Sequence, residues 1–445
     1  MSKKTKLSGF PEHLPADRNV ELAVTDTLRR VFELHGFANI ETRAVEPLDE
    51  LLRKGEIDKE VYVLKRIHAE EGDAGLGLHF DLTVPLARYV LEHAGKLQFP
   101  FRRYQIQKVW RGERPQQGRF REFVQADIDI IGDGELPFHF DIEVARVIAE
   151  ALAALPIPGL TLQVSNRKVL EGFYLGLGIE DPVAVMQVID KLDKLSGAKI
   201  LELLAEAGLD PHQAGLCLAL ADIRTTDSSF VQQVQAFGVE HPLLDQGLAE
   251  LGAVINGCAD MNAAGDDHGV TVTVDLRIAR GLDYYTGTVF ETRMNGYEHL
   301  GSVCSGGRYD ELASDGKRSY PGVGISIGVS RLLAALFADG MTSTRSVPSA
   351  VLVALEDEES RVTSNRVAQR LRARGIPTEV APAAQKFGKQ IRFAERRGIP
   401  FVWFTTGEGH QVKDIRSGEQ ESADPDAWTP PTHDLRPQVI SKETP

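Results

Sequence analysis

Two stretches of alternating character dominate this chain: "FRRYQIQKVWRGE" at 101–113 and "REFVQADIDIIG" at 121–132, separated by the polar "RPQQGRF". A period of two sustained over so many residues is the pattern of a strand, and two such runs joined this way predict an antiparallel pair with a long flexible connection. A parallel-sheet plan is disfavoured accordingly. Successive residues of a strand point to opposite faces, so Val124, Ala126, Ile128 and Ile130 share one face and Phe123, Gln125, Asp127 and Asp129 the other. The first set suits a core. The second mixes a ring, an amide and two carboxylates, which a ligand-facing surface needs and a plain solvent face does not.

Around this pair the pattern divides the chain. "NVELAVTDTLRRVFELHG" has apolar residues at helical spacing and stops at Gly36, and "HFDLTVPLARYVLEHAG" passes from strand to helix with Pro85 in the first turn. Residues 164–262 read as a helical insertion, and "GVTVTVDLR" resumes the strand pattern. The expected organisation is α+β: a large domain in two parts, 1–163 and 263–340, interrupted by that insertion. A linker at 341–348, a small α/β domain at 349–430 and an irregular tail at 431–445 follow.

With 445 residues and 42% apolar content the chain can bury a large core. No apolar run reaches the roughly 20 residues of a membrane span, and "MSKKTK" is not followed by the apolar run of a secretory signal, so a cytoplasmic protein is expected. Cys217, Cys258 and Cys304 are widely spaced, without a CxxC pair, which indicates neither a disulfide framework nor a cysteine zinc site. A net charge of −14 opposes a nucleic-acid partner gathered by bulk charge, although only the local field at a binding face matters.

Several constellations could carry chemistry. Arg111 and Glu113 share a face, and the connection adds Arg114, Arg119 and Arg121, a concentration of planar cations suited to a polyphosphate. The plainer alternative is a solvated hairpin tip with surface arginines. In "LHFDLTVP", parity sets His79, Asp81 and Thr83 together; Asp81 and Thr83 could receive an ammonium group, or Thr83 could be an ordinary helix cap. In "GVGISIGVSRLL", Gly322, Gly324, Ser326 and Gly328 form a face almost without side chains, which lets something flat approach. Arg331 follows at a helix start, where an anion is favoured. Tight strand-to-helix packing would also explain the glycines. Neither a GxxxxGK[ST] loop nor HExxH nor GxSxG is present, and "CSGGRYD" lacks Rossmann spacing.

Taken together, these runs resemble the class II aminoacyl-tRNA synthetases, and specifically the histidyl-tRNA synthetase family, over nearly the whole chain. "VWRGERPQQGRFREFVQADIDIIG" is similar to the second class II motif and "GVGISIGVSRLL" to the third, while "RGLDYYTGTVFE" and "CSGGRYD" resemble the two histidine-specific motifs. The resemblance implies an antiparallel sheet with helices and a C-terminal anticodon-binding domain. It implies histidine, ATP with Mg2+, and histidine tRNA as ligands, and a homodimer. Arg111 would contact the ATP α-phosphate and the histidine carboxylate, and Arg119 the outer phosphates. Phe123 and Arg331 would sandwich adenine, with Glu113 near adenine or the magnesium. Asp81, Thr83 and Gln125, with the intervening Leu82, would hold the α-amino group. Asp129, Tyr285 and Tyr309 would surround the imidazole, supported by Tyr284, a set that matches a flat ring with one donor and one acceptor. Arg280 would stabilise the charge developing on the α-phosphate. Asp283 could orient Arg280 or merely cap the turn.

Three positions depart from the family pattern: Arg43 stands where the first class II motif has proline, Ser330 where many relatives have glutamate, and Asp81 where many bacterial relatives have glutamate. The resemblance also admits a non-catalytic relative, such as the synthetase-like regulatory subunit of ATP phosphoribosyltransferase. That relative usually lacks the anticodon-binding domain. A pure RNA-binding module is a third reading, and leaves the histidine motifs unexplained. The basic residues of the C-terminal helices, among them Arg366, Arg370, Arg372, Arg374, Lys386, Lys389, Arg392, Arg396 and Arg397, offer a local field for RNA phosphates or simply a solvated face.

Overall fold

The computed structural model describes residues 7–52, 59–68, 75–262, 269–279, 284–407 and 409–441. Contacts divide the chain into two units, residues 1–11 with 24–335 and residues 12–23 with 336–445.

The first unit is built on a sheet whose strands are β1 (Ala38–Asn39), β5 (Phe101–Trp110), β6 (Glu122–Ile131), β7 (Leu160–Asn166), β8 (Arg224–Thr225), β9 (Val270–Asp275), β10 (Thr288–Met294), β11 (Cys304–Tyr309) and β12 (Gly322–Gly328). Their order is β1-β5-β6-β12-β11-β10-β7-β9-β8. Only β1–β5 and β7–β9 pair in parallel, so the antiparallel expectation holds for the middle of the sheet, with parallel pairs toward its edges. A smaller sheet joins β2 (Val45–Pro47), β3 (Val63–Leu64) and β4 (Leu76–Leu78) in the order β2-β4-β3.

β5 and β6 pair along their whole length, Phe101 opposite Ile131 and Trp110 opposite Glu122. Ala126, Ile128 and Ile130 are fully buried on the face where parity puts them. That face is packed by the apolar side of the helix His139–Ala153, in which Val144, Val147, Ile148 and Leu152 are fully buried. The opposite face of β6 is left for the site. Residues 167–262 are largely helical, but position 164, the expected start of the insertion, lies inside β7, and β8 returns from the helical region to the sheet.

In the second unit β15 (Thr378–Val380), β14 (Val351–Val353), β16 (Phe401–Thr406), β17 (Gly409–Asp414) and β18 (Gln420–Ser422) form one sheet in that order, parallel across the first three. Helix Arg361–Ala373 covers one face through Val367 and Leu371, and helix Phe387–Arg397 the other through Ile391 and Ala394. β14, covered on both sides, is apolar at every position, as a buried parallel strand must be.

The expected linker at 341–348 is ordered structure instead. β13 (Met341–Ser343) pairs antiparallel with β19 (Val439–Ser441) from the supposedly irregular tail. Beside it the buried Arg345 donates to the carbonyls of Val347 at 3.1 Å, Pro348 at 3.3 Å and Asp434 at 2.7 Å. A guanidinium has donors enough to satisfy three backbone acceptors at once, which turns small polar residues into a fixed corner.

Candidate functional site

Two adjoining clefts open over the polar face of β6 and share Arg111, Gln125, Ser305 and Ser326 in their walls. One, of about 730 Å³, is walled by Phe80, Asp81, Thr83, Asp129, Tyr284, Tyr285 and Tyr309. The other, of about 550 Å³, is walled by Glu113, Gly118, Arg119, Phe123, Gly328 and Arg331.

The larger cleft is held by side chains that interlock over glycines. In register, Asp129 of β6 lies opposite Gly324 of β12, and Tyr309 of β11 opposite Gly322. A Cβ on Gly324 would sit 2.0 Å from Asp129 Oδ1, and one on Gly322 would sit 2.5 Å from the Tyr309 ring. The bare face expected to admit a flat ligand is therefore already filled at these two positions by the protein's own carboxylate and phenol. Only Gly328 is left along the smaller cleft. Tyr309 donates to Asp129 Oδ1 at 2.6 Å, and the fully buried Arg103 stands 2.6 Å from Asp129 Oδ2. Burial, reinforced by Asp129, pushes the Tyr309 phenol well above its ordinary value, so it remains a donor. Tyr285 is likewise raised by burial, then by Tyr284 and Asp129. Gly307 is bare because Tyr285 passes over it: a Cβ there would meet the ring at 2.8 Å.

Strand parity fails at "LHFDLTVP" because β4 ends at Leu78, so the residues that follow are no longer in a strand. His79 is fully buried and bonds the Lys108 carbonyl at 2.6 Å, and it is not part of the cleft wall. Asp81 Oδ1 accepts from the backbone N–H groups of Thr83 and Val84, both at 3.1 Å, so the first turn of helix Thr83–His93 is satisfied by the Asp81 side chain, one residue ahead of the N-cap Leu82, and not by Thr83. Asp81 and Thr83 both line the cleft. Leu82 is fully buried and contributes a carbonyl to Arg103 at 3.3 Å, with no share in the wall.

The smaller cleft gathers cations. The Arg111 guanidinium carbon lies 4.3 Å from the Phe80 ring centre and 5.2 Å from that of Phe123, and its Nε donates to the Phe80 carbonyl at 3.2 Å. Arg119 stands 3.3 Å from Glu113. Arg331 donates to the carbonyls of Gly118 at 3.2 Å and of Ser302. Burial, together with the charges of Arg119 and Arg111, pulls Arg331 down to about 10. The connection between β5 and β6 was expected to be flexible; here it is tied by backbone bonds between Gln116 and Arg119 and by Gly9, whose carbonyl takes the N–H of Arg121 at 2.7 Å. Arg280 and Asp283 lie outside the described residues.

The sequence matches the family described as Histidyl-tRNA synthetase over residues 9–332, and an anticodon-binding domain over residues 349–426. It is 57% identical over 459 residues to the histidine–tRNA ligase of Micrococcus luteus, covering 99% of each chain. The chain belongs to the histidyl-tRNA synthetase family. ATP-driven ligation of histidine to tRNA follows from that membership. The histidine–tRNA ligase of Thermobifida fusca is 51% identical, over 96% of this chain and 98% of that one. The crystal structure of histidyl-tRNA synthetase from Nostoc superposes with a TM-score of 0.84 at 36% identity, covering 96% of this chain and 98% of that one. A structure from Bacillus halodurans, described as an ATP phosphoribosyltransferase regulatory subunit/histidyl-tRNA synthetase, shares the fold at 21% identity and a TM-score of 0.72.

Against the family pattern, the departing residues have local work. Ser330 accepts the Val124 N–H at 3.0 Å, continuing the ladder of β6 beyond the end of β12. Arg43 bonds Glu46 at 3.0 Å, and Glu46, buried, also receives Arg88 at 2.7 Å. Residues missed in the sequence include Arg103, which faces Asp129 from β5, and Phe80, which parity had turned away from the site. Glu60 is another: its carboxyl is raised by burial and by Glu113, against the pull of Arg111 and Arg119. Nothing local in "DKEVYV" signals it, because its neighbours come from the distant hairpin.

Proposed function

We propose that the larger cleft seats histidine and the smaller one ATP, with Arg111 between them. The α-ammonium is received by Asp81, Thr83 and Gln125. The imidazole lies between Tyr285 and Tyr309, against Asp129, supported by Tyr284. Adenine stacks between Phe123 and Arg331, and the triphosphate runs past Arg111 to Arg119. A histidine carboxylate oxygen attacks the α-phosphorus, the bond to the bridging oxygen breaks, and pyrophosphate leaves with the electron pair. Arg111 and Arg280 stabilise the charge that grows on the α-phosphoryl oxygens. A terminal ribose hydroxyl of tRNA then attacks the histidyl carbonyl, and AMP departs.

The observation that carries this reading is the sharing of Arg111 and Gln125 by two clefts of different chemistry, one carboxylate and aromatic, the other cationic. Magnesium enters as part of the nucleotide substrate. Among the described residues no three His, Cys, Asp or Glu side chains cluster as a metal site, which fits an ion carried on phosphates and steadied by Glu60 or Glu113. A catalytically silent regulatory role is less well supported, because the arginines of the activation cleft stand and an anticodon-binding domain follows.

In that domain Arg370 is tied to Asp426, Arg374 to the carbonyls of Pro425, Ala427 and Trp428, and Arg397 to Glu379. Of the other basic residues, Lys389, Arg392 and Arg396 line one groove beside helix Phe387–Arg397, and this group is the one offered to tRNA phosphates. A cytoplasmic homodimer completes the reading. Its support is family membership and three buried free thiols, and no described helix is long and apolar enough to cross a membrane. The test is histidine-dependent exchange of pyrophosphate into ATP, expected in the wild type and lost in Arg280→Ala. Full aminoacylation by that variant would remove Arg280 from the mechanism, and absence of exchange in the wild type would overturn the reading. Sedimentation at micromolar concentration is expected to give twice the chain mass.

A further inference from the structure

Beneath the shared wall of the two clefts lies a chain of three polar side chains that the reaction scheme leaves unused in part. Gln125 Nε2 donates to Ser326 Oγ at 2.6 Å, and Ser326 Oγ donates in turn to Asp127 Oδ1. Asp127 and Ser326 are direct partners across β6 and β12, and Gln125 lies one alternation further along β6. Asp127 is 2% exposed and Gln125 7%. Gln125 Oε1 is buried and has no protein partner, although Gln125 borders both clefts. A buried carbonyl left without a donor is costly and calls for a ligand that supplies one.

The direction of the chain can be deduced from proton count alone. An ionised carboxylate only accepts, so it takes the single hydroxyl proton of Ser326. Ser326 can then only accept from Gln125, which turns the Gln125 amide nitrogen toward Ser326 and its oxygen away from it. We infer that Asp127 and Ser326 are positioning residues that set the orientation of the Gln125 amide, so that its oxygen faces the α-ammonium of histidine. The inference rests on the reading that Gln125 receives that ammonium, and it adds the device that makes Gln125 an acceptor there. With the amide reversed, an NH2 group would meet the ammonium and repel it.

The chain has a second state. A protonated Asp127 can donate to Ser326, freeing the hydroxyl proton to point at Gln125 and favouring the reversed amide. The groups that bear on Asp127 are Arg103 from β5, Asp129 on its own strand, Cys304 and Tyr309 from β11, and Asp81 ahead of helix Thr83–His93. Burial pushes Asp127 up to about 7, with Arg103 opposing and Asp129 adding to the rise. Histidine affinity is thus expected to weaken as pH falls below neutrality. ATP, held by arginines in the other cleft, should not follow.

The test uses the full-length enzyme in pyrophosphate exchange, with KM for histidine and for ATP measured separately between pH 6 and 8.5. Ser326→Ala and Asp127→Asn should each raise KM for histidine about tenfold at pH 8, the worth of one hydrogen bond to a charged group, and Asp127→Asn, at a residue that lines the larger cleft alone, should keep KM for ATP within about twofold. Both should lose the wild-type pH dependence, and Ser326→Thr, which keeps the hydroxyl, should restore it. In a Gln125→Ala background there is no amide to orient, so adding Asp127→Asn should raise KM for histidine no further. Three results overturn the proposal: Asp127→Asn acting without Ser326→Ala, strict additivity of Asp127→Asn in the Gln125→Ala background, or an unchanged pH profile in both variants. If Gln125→Ala leaves KM for histidine unchanged, the ammonium reading itself falls. If Gln125→Ala raises it and the other two variants do not, only the relay falls.

Discussion

Around Asp129 the cleft wall is complete within the protein: one carboxylate oxygen takes the Tyr309 proton, the other the Arg103 guanidinium, and Gly322 and Gly324 make room for both side chains. Around Arg331 the wall is cationic, and the neighbouring charges of Arg119 and Arg111 help pull Arg331 down to about 10. The first region is arranged to recognise a shape and can be finished in advance. The second holds like charges together, a strain that an arriving polyphosphate relieves. On the assignment proposed above, amino-acid selectivity and nucleotide affinity rest on different physics in adjoining volumes, joined by Arg111.

The two regions meet at Arg111. Arg111→Ala should lower kcat/KM for pyrophosphate exchange by about 10³-fold, within the range known for loss of one transition-state donor, and should do so against both substrates. An effect on one substrate alone would place Arg111 in one cleft only. Asp129→Asn should remove the carboxylate that is ion-paired with the fully buried Arg103. Denaturant titration is expected to show a loss of about 3–5 kcal/mol, as when one partner of a buried pair is removed, together with a raised KM for histidine. KM for ATP is expected to hold.

The glycines sharpen the contrast at lower cost. Gly324→Ala drives a Cβ into Asp129 and should destabilise by about 1–3 kcal/mol with loss of histidine binding. Gly328→Ala, whose Cβ would lie 3.4 Å from the Val303 carbonyl, should fold normally and affect only the nucleotide side. The smallest effect is a pH slope. Asp127 has a folded pKa of about 7, above the roughly 4 of an unfolded chain, so between these values the native state holds the extra proton. Its contribution to stability is then greatest below about pH 4, declines as pH rises toward 7 and levels off above. Relative to Asp127→Asn, the wild type should be more stable at pH 5 than at pH 8 by urea titration.

Strand alternation makes much of the site legible in the sequence. Alternation alone placed Phe123, Gln125, Asp127 and Asp129 on one face of β6, because a strand of this length leaves no freedom in the matter. It failed at His79–Thr83, where β4 ends at Leu78 and parity no longer applies. The glycines of β12 announced a bare face, but only the register with β6 and β11 shows that Asp129 and Tyr309 fill part of it. Arg103 sits in a run that reads as plain strand, and its role depends on the residue opposite. The pairing of β13 with β19 joins stretches far apart in sequence that each look like loop, which local patterns cannot reveal.

The cleft walled by Asp129, Tyr285 and Tyr309 is proposed to select histidine. Aminoacylation of total tRNA by the wild-type chain, run against a panel of amino acids, tests it most directly. Histidine alone is expected to be charged, with Asp129→Asn reducing that activity through KM for histidine. Charging of another amino acid at a comparable rate, or an Asp129→Asn enzyme that keeps its affinity for histidine, would contradict the account.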